Sequence, residues 1–402
     1  MPEFFKVVRI EEAQALLRSS FPSPRIEEVE LGEALGRVLA TDVVSRENIP
    51  SFPRSTVDGY AVRAQDTFGS SESMPGFLTY KGEILMGAEP DIAVETGECA
   101  WIPTGGMLPP GADAAVMVEY TERLGDDTVL INRPVGPGEN VVRVGEDVRQ
   151  GEVVCRGGHW LRPQDLGVLA SLGIVRVSVF CREGVGIISS GDEILPIEEV
   201  PGPGQVRDVN SYSLKGAVLE AGGRPQLYGI IPDDAGRLRE VLGKALHDNR
   251  LVLLSGGSSV GYRDLSLEIL MSLPGAELLF HGIAARPGKP TMAVRVDDRL
   301  VVGLPGHPVA CYMMFLLLCR PLLGAPDPVK VRAVMKSAVA SQAGRDDYLR
   351  VSLRDESEGL VAAPVYGKSG LIKIMARADG YVHIPYEKQG IKAGEPVVVT
   401  LF

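Results

Sequence analysis

Between Gly184 and Leu323 this 402-residue chain alternates strand-like with helix-like segments, and that alternation limits the fold more than any other feature. "GVGIIS" is followed by "NSYSLKGAVLEAGG", "QLYGII" by "DDAGRLREVLGKALHD", and then comes "LVLLS". The second helical stretch sets Leu238, Val241, Leu242, Ala245 and Leu246 on one face, as a helix lying on a sheet requires. "LVLLS" is apolar almost throughout, which fits a strand buried on both faces. Asn210 or Ser211 reads as the N-cap of the first helix and Gly222 as its C-cap. Such a run predicts a doubly wound α/β domain.

The flanking segments have other periods. Glu11–Arg18 and Glu33–Ala40 read as short helices, the second with Leu35, Val38 and Leu39 on one face. Pro50 and Pro53 make "SRENIPSFPRSTVDGYAV" a loop. From Asp58 to Arg156 the segments are short and β-like, each bounded by Gly, Pro or Asp. "RPQDLGVLASLG" reads as a helix stopped by Gly173. From Asp327 to Phe402 alternating patterns return, interrupted by the helical "LIKIMARADG", and predict a small barrel or sandwich. The 47 glycines and 29 prolines lie scattered between apolar runs, so they signal turns in a β-rich chain rather than disorder.

Charge narrows the function. The net charge of −11 argues against nucleic acid or an anionic membrane as the main partner. An anionic ligand would have to be held by local cations and backbone N–H groups. Five cysteines without a C-x-x-C pair suggest a reduced, cytoplasmic chain. No two of the five histidines stand at i, i+4, which argues against a zinc hydrolase. The N-terminus lacks a signal-peptide pattern, and "VACYMMFLLLC" is too short to span a bilayer.

In open α/β sheets ligands bind beyond the carboxyl ends of the strands. Three strand ends here carry unusual loops: "SSGDE", "SGGSSVGYRD" and "GLPGHP", the last with Pro308 placed for the first position of a helix. Small residues such as Ser255, Gly256 and Gly257 let backbone N–H groups approach a phosphate closely. The second loop is not a Walker A loop, because Tyr262 follows Gly261. Glu193 and Asp264 sit just past two of these loops, and Asp234 follows a third strand. Asp233 or Asp234 reads equally well as a helix N-cap. Carboxylates beside a phosphate would repel it unless a divalent cation intervenes, and Mg²⁺ with its oxygen ligands is the natural one. Arg286 and Lys289 in "AARPGKP" offer cations on a defined turn. For Asp58, Thr104, Glu146 and Asp147 a turn-forming role is the default.

The ordered set "STVDGYAV", "IPTGGMLPPGADAAVMVE", "VRVGEDV", "ISSGDEIL", "GQVRDVNSYSL", "SGGSSVGYRD", "RPGKP" and "GLPGHPVA" resembles the motif series of the MoeA family. These are the molybdopterin molybdenumtransferases, which include the E domain of gephyrin. The resemblance runs from about Glu33 to the C-terminus. It implies an elongated cytoplasmic homodimer of four subdomains: residues 1–50 with 140–180, a β-rich 51–139, the α/β molybdopterin-binding 181–325, and a barrel over 326–402. It implies an enzyme that takes adenylylated molybdopterin from an upstream adenylyltransferase, hydrolyses its pyrophosphate bond, releases AMP and inserts molybdenum from molybdate, with Mg²⁺ required. The active site would be shared between the α/β subdomain of one protomer and the β-rich subdomain of the other.

Carried over by motif, Asp58, Thr104, Asp147, Glu193, Asp234 and Asp264 form the acid and hydroxyl set, with Glu193 and Asp264 on the metal. Ser255, Gly256, Gly257, Pro305 and Gly306 match the pterin-phosphate cradle. Arg286, Lys289, Arg345 and Ser369 match the molybdate pocket. The chain departs from the family's pattern at Val57, His307, Ala310 and Arg286, which leaves tungstate as an alternative oxyanion. A non-catalytic pterin-binding scaffold and a molybdopterin adenylyltransferase are the rival readings. The latter needs only the α/β domain and leaves the rest of the chain without a purpose.

Overall fold

The computed structural model describes residues 7–256, 260–357 and 359–402, and of residues 260–265 the backbone alone. The chain forms two compact units, one running to Glu27 and resuming over Phe180–Phe402, the other Glu28–Val179. Among the described residues no helix is long and apolar enough to cross a membrane.

The first unit is built on a six-stranded sheet. Its strands are β1 (Gly184–Ser190), β2 (Arg224–Ile231), β3 (Leu251–Gly256), β4 (Ala276–His281), β5 (Met292–Val296) and β6 (Arg299–Leu304). They lie in the order β2-β1-β3-β6-β5-β4. The first four in that order are parallel, as the alternating pattern predicts. β5 runs antiparallel to both β6 and β4, so the sheet is mixed at one side. The cause is local: Asp297, at φ 53°, lets β5 turn straight back into β6 as a hairpin.

Helices cover both faces. α1 (Ile10–Ser20), α2 (Asn210–Glu220) and α5 (Pro308–Met314) pack with Val185, Leu251, Leu253 and Val302. α3 (Ala235–Asp248) and α4 (Val260–Met271) pack with Ile188, Val252, Leu254 and Val301 on the other face. β3 is therefore buried on both sides, as its composition requires. Pro308 opens α5 as expected. The cap of α2 differs from the sequence reading. Asp208 Oδ1 accepts the Ser211 N–H at 3.0 Å, while the Asn210 amide donates to Gly306 C=O at 2.9 Å. Gly222, at φ 83°, closes that helix.

The tail forms a second six-stranded sheet. Lys330–Met335, Asp346–Glu356, Gly359–Pro364, Gly380–Ile384 and Pro396–Leu401 close on themselves, because Asp346–Glu356 pairs with both Gly359–Pro364 and Gly380–Ile384. Met335, Val351, Ala362, Val382 and Val399 fill this small barrel. The short strand Ala285–Arg286 adds to its edge in parallel, setting Ala285 opposite Asp346 and Arg286 opposite Asp347. That pairing fixes a loop of the α/β sheet against the barrel.

The second unit centres on a sheet of Ala114–Met117, Gly59–Val62, Glu98–Ile102, Gly76–Glu83, Thr128–Ile131 and Thr121–Leu124, in that spatial order. Tyr60, Val62, Cys99, Val116 and Ile131 fill one side and Ala61, Ala100, Ile102 and Ala115 the other. The helix Pro163–Ser171 forms as predicted, with Gly173 at φ 67° beyond it. The helix expected over Glu33–Ala40 does not form. A single 3₁₀ turn, Leu31–Glu33, is followed by bridges from Val38 to Trp160 and from Leu39 to Val179. Gly36 adopts φ 66°, which no helix continues through, and its bare Cα lies beside the Trp160 ring.

Candidate functional site

A cavity of about 1000 Å³ opens in the first unit where β6 leads into α5 and the barrel edge begins. Arg286, Lys289, Pro305, Gly306, Arg345 and Ser369, six of the residues singled out from the sequence, line it together. Arg350, Lys368 and His307 line it as well. Five cations thus face one space. The carboxylate behind them is Asp347, only 7% exposed. It accepts from Arg345 Nε at 3.0 Å and from Ser341 Oγ at 2.7 Å, and Arg286 Nη1 lies 4.0 Å away. One negative charge orients the arginines without neutralising the set.

Arg350 is left partly unsatisfied. Its Nε is buried without a hydrogen-bond partner, and Nη2 reaches Gly367 C=O only at 3.5 Å. Burial first, and then the charge of Arg286, draw its guanidinium below its ordinary range, with Asp347 opposing. A cation that is desolvated and short of partners favours a bound anion. Gly288 carries the turn between Arg286 and Lys289 at φ 120°, where a Cβ would collide with the Met314 side chain.

The Gly-rich strand ends are built differently. Ser255 is fully buried, and its Oγ lies 3.3 Å from Ser189 Oγ. Ser189 Oγ donates to Asp208 Oδ1 at 3.0 Å and lies 2.9 Å from Ser211 Oγ. Any part Ser255 takes in a phosphate cradle therefore falls to its backbone. Gly256 stands opposite Ser190 in the β1–β3 ladder at φ 127°, and a Cβ there would run into the Ser190 carbonyl. Gly257 and the Asp264 side chain lie outside the described residues.

Three acids gather beyond β1 and β2. Glu193 is exposed, and a Cβ on Gly191 would meet its carboxylate. Asp192 Oδ1 accepts the Asp233 N–H at 3.0 Å. The Asp233 carboxyl is pushed up by burial and then by the charges of Asp192 and Glu193. Asp234 has taken the helix-capping role: its Oδ1 accepts the Arg237 N–H at 2.7 Å at the start of α3. Among the described residues no three His, Cys, Asp or Glu side chains converge as a metal site.

In the second unit Asp58 and Thr104 meet, although 46 positions separate them. Gly59–Val62 and Glu98–Ile102 pair with Gly59 opposite Ile102, which brings the residue before one strand to the turn after the other. Asp58 Oδ1 accepts the Thr104 N–H at 2.7 Å. That bond first, and the Thr104 hydroxyl second, hold the Asp58 carboxyl below its ordinary range. Asp147 is exposed on a different turn, with its N–H donated to Ile49 C=O at 3.1 Å. A carboxyl ¹³C titration should place Asp58 below free aspartate. Thr104→Val should raise the midpoint only partway, because the backbone donor remains. An unshifted wild-type midpoint would refute the contact.

Sequence reasoning did not find Arg350, Lys368 or Asp347. "GRDDYLR" shows the charges, but their convergence depends on the register of Ala285–Arg286 against the barrel, which no local period encodes. Asn210 was read as a cap, whereas its amide holds the loop that carries His307.

Three family models match the chain in succession. The MoeA N-terminal region (domain I and II) matches residues 8–173, the "Probable molybdopterin binding domain" residues 186–325, and the MoeA C-terminal region (domain IV) residues 332–402. A Methanocaldococcus jannaschii protein is 36% identical over 94% of this chain and 92% of its own. The molybdopterin molybdenumtransferase of Bacillus subtilis is 31% identical over 93% of this chain and 89% of its own. A crystal structure of a molybdopterin biosynthesis moeA protein from Pyrococcus horikoshii superposes with a TM-score of 0.85 at 36% identity, covering 99% of this chain and 100% of that one.

Proposed function

The chain belongs to the MoeA family, and from that premise we propose that it inserts molybdenum from molybdate into adenylylated molybdopterin, cleaving the pyrophosphate bond and releasing AMP. The observation that carries this reading is the cavity with five cations and one shared carboxylate. In a chain of net charge −11, such a concentration of positive charge has a purpose only for an anion. Its guanidinium groups suit a tetrahedral oxyanion, because their forked donors bind two oxygens at once.

The substrate's phosphate is proposed to rest on the backbone following β3 and on Pro305 and Gly306, with molybdate held by Arg286, Lys289, Arg345, Arg350 and Ser369. Hydrolysis breaks one P–O bond of the pyrophosphate, and water supplies the new oxygen. Asp58, kept ionised by Thr104, can accept a proton from that water or orient it. Asp147 and Asp234 stay in the proposal as acids of the same set, Asp234 through the start of α3 that it caps. The acidic end beyond β1 and β2, where burial first and then the charges of Asp192 and Glu193 push the Asp233 carboxyl up, suits a hard divalent cation that takes its other ligands from phosphate oxygens and water. Glu193 and Asp264 are the residues proposed to hold Mg²⁺, which when bound would offset charge on the pyrophosphate.

We place the enzyme in the cytoplasm as a homodimer whose active sites draw on both protomers, supplied by a molybdopterin adenylyltransferase. The test is one assay on the purified chain with adenylylated molybdopterin, with and without Mg²⁺, and with molybdate, tungstate or neither. Release of AMP that requires Mg²⁺ and an oxyanion, with metal retained on the pterin, is the expected result. Pterin binding without AMP release would make the chain a scaffold. In the same assay Asp58→Ala and Asp264→Ala protomers should each be inactive and regain part of the activity when mixed. No recovery in mixed dimers would refute the shared site.

A further inference from the structure

We propose that His307 is a positioning residue for the oxyanion: when it is protonated, the Ser369 hydroxyl is free to turn into the cavity, so that anion and proton bind together. The inference rests on the oxyanion-pocket reading above. His307 Nδ1 lies 2.8 Å from Ser369 Oγ. The contact is framed by backbone on both sides. The Val309 N–H donates to Ser369 C=O at 3.0 Å, and the Cys311 N–H to His307 C=O at 2.9 Å. The preceding residue, Gly306, is held through its carbonyl by the Asn210 amide at 2.9 Å. The imidazole itself is exposed and exchanges protons with solvent.

A serine hydroxyl has one proton to give. When a neutral imidazole presents a bare Nδ1, that proton goes to the ring and only lone pairs of Oγ face the cavity, which repels an oxyanion. When the ring is an imidazolium, Nδ1–H donates to Oγ, and the hydroxyl proton can point at the ligand. The oxyanion therefore binds the protonated form more tightly, and by reciprocity its binding draws a proton onto His307. The charged groups that share the cavity with His307 are Arg286 from the barrel-edge strand, Lys289 from the turn after it, Arg345 and Arg350 from the barrel, and Lys368 from the loop of Ser369. All are cations. Asp347, the acid behind them, is engaged by Arg345 and Ser341. An arriving dianion offsets their charge and attracts the imidazolium directly. A neutral ring carrying its proton on Nδ1 would also free the hydroxyl, but without taking a proton from solvent, so counting protons separates the two cases.

The experiment is calorimetric titration of the full chain with sodium molybdate between pH 6 and 8, in buffers of unlike ionisation enthalpy. Molybdate is a dianion throughout that range, so proton uptake reports on the protein. Wild type should take up a fraction of a proton on binding and lose about fivefold in affinity as the pH rises. His307→Asn can still place an amide near the Nδ1 position but does not titrate, so its affinity should be flat with pH and without proton uptake. Ser369→Ala should bind more weakly and take up fewer protons than wild type, because only the direct attraction between dianion and imidazolium remains. Wild-type binding without proton uptake, a pH dependence that survives in His307→Asn, or proton uptake undiminished in Ser369→Ala overturns the role of His307 and leaves the oxyanion pocket standing. No molybdate binding at any pH overturns the pocket and this inference together.

Discussion

Gly256→Ala should destabilise the α/β unit by about 4 kcal/mol, the middle of the summed ~1–3 for an overpacked contact and ~1–3 for a strained backbone. The added Cβ would run into the Ser190 carbonyl oxygen, and φ at this position is 127°. Neither problem can relax cheaply, because Gly256 closes a parallel ladder that sets Val185 to Ser190 opposite Leu251 to Gly256. Opening that end would also disturb the buried hydroxyl network of Ser189, Ser211 and Ser255. At roughly 2–4 °C per kcal/mol for a unit of this size, the thermal midpoint should drop by about 10 °C. Gly243→Ala is the matched control. Gly243 lies inside α3 with open space where its Cβ would go, so alanine there should stabilise by ~0.5–1 kcal/mol. A Gly256→Ala protein that melts with wild type would mean that the strand end is loose and the glycine serves only the ligand.

That contact also explains why the chain is bare after β3. The loops that follow β1 and β3 leave the sheet from one point, since Ser190 and Gly256 are opposite residues. Two loops can diverge from so small an area only if one of the residues there lacks a side chain. The sequence showed a strand followed by Ser-Gly-Gly, and that was enough to locate a strand end suited to a phosphate. It could not show that Gly256 is demanded by its neighbour's carbonyl, because Ser190 is 66 positions away in the chain.

The same division runs through the rest of the molecule. Strands and helices between Gly184 and Ser255 were legible because each one's apolar period reflects its own burial. The hairpin of β5 and β6 was not foreseen, although "VRVDDRLVV" carries a two-residue acidic turn that points to it. Glu33–Ala40 had a helical apolar spacing, but Gly36 at φ 66° diverts the chain, and Leu39 is buried from an extended segment instead. At the site, Arg286 and Lys289 could be found because Pro and Gly place them on a turn. Asp347 could not, because an aspartate in a strand of a small barrel looks solvent-facing until Arg286 is registered against it.

Removing two of the five cations, as Arg286→Ala with Lys289→Ala, should weaken molybdate binding about a hundredfold. Hydrogen bonds to charged groups contribute ~1.5–3 kcal/mol each, and the lower figure applies here because the Arg286 side chain is 64% exposed and screened by water. Two such losses come to about 3 kcal/mol, and each 1.4 kcal/mol is a factor of ten. The fold should tolerate the change. Both residues sit on the rim of the cavity, and the Arg286–Asp347 distance of 4.0 Å marks a weak ion pair. Asp347 keeps its closer partners, Arg345 and Ser341, so the barrel edge loses little. The variant should therefore melt within about 2 °C of wild type while its binding isotherm collapses. Its salt dependence should flatten too, since fewer charges are left to screen. If the double variant bound molybdate within twofold of wild type, the oxyanion would have to sit elsewhere. Arg350, with its unpartnered Nε, would then remain as a half-buried cation without a ligand.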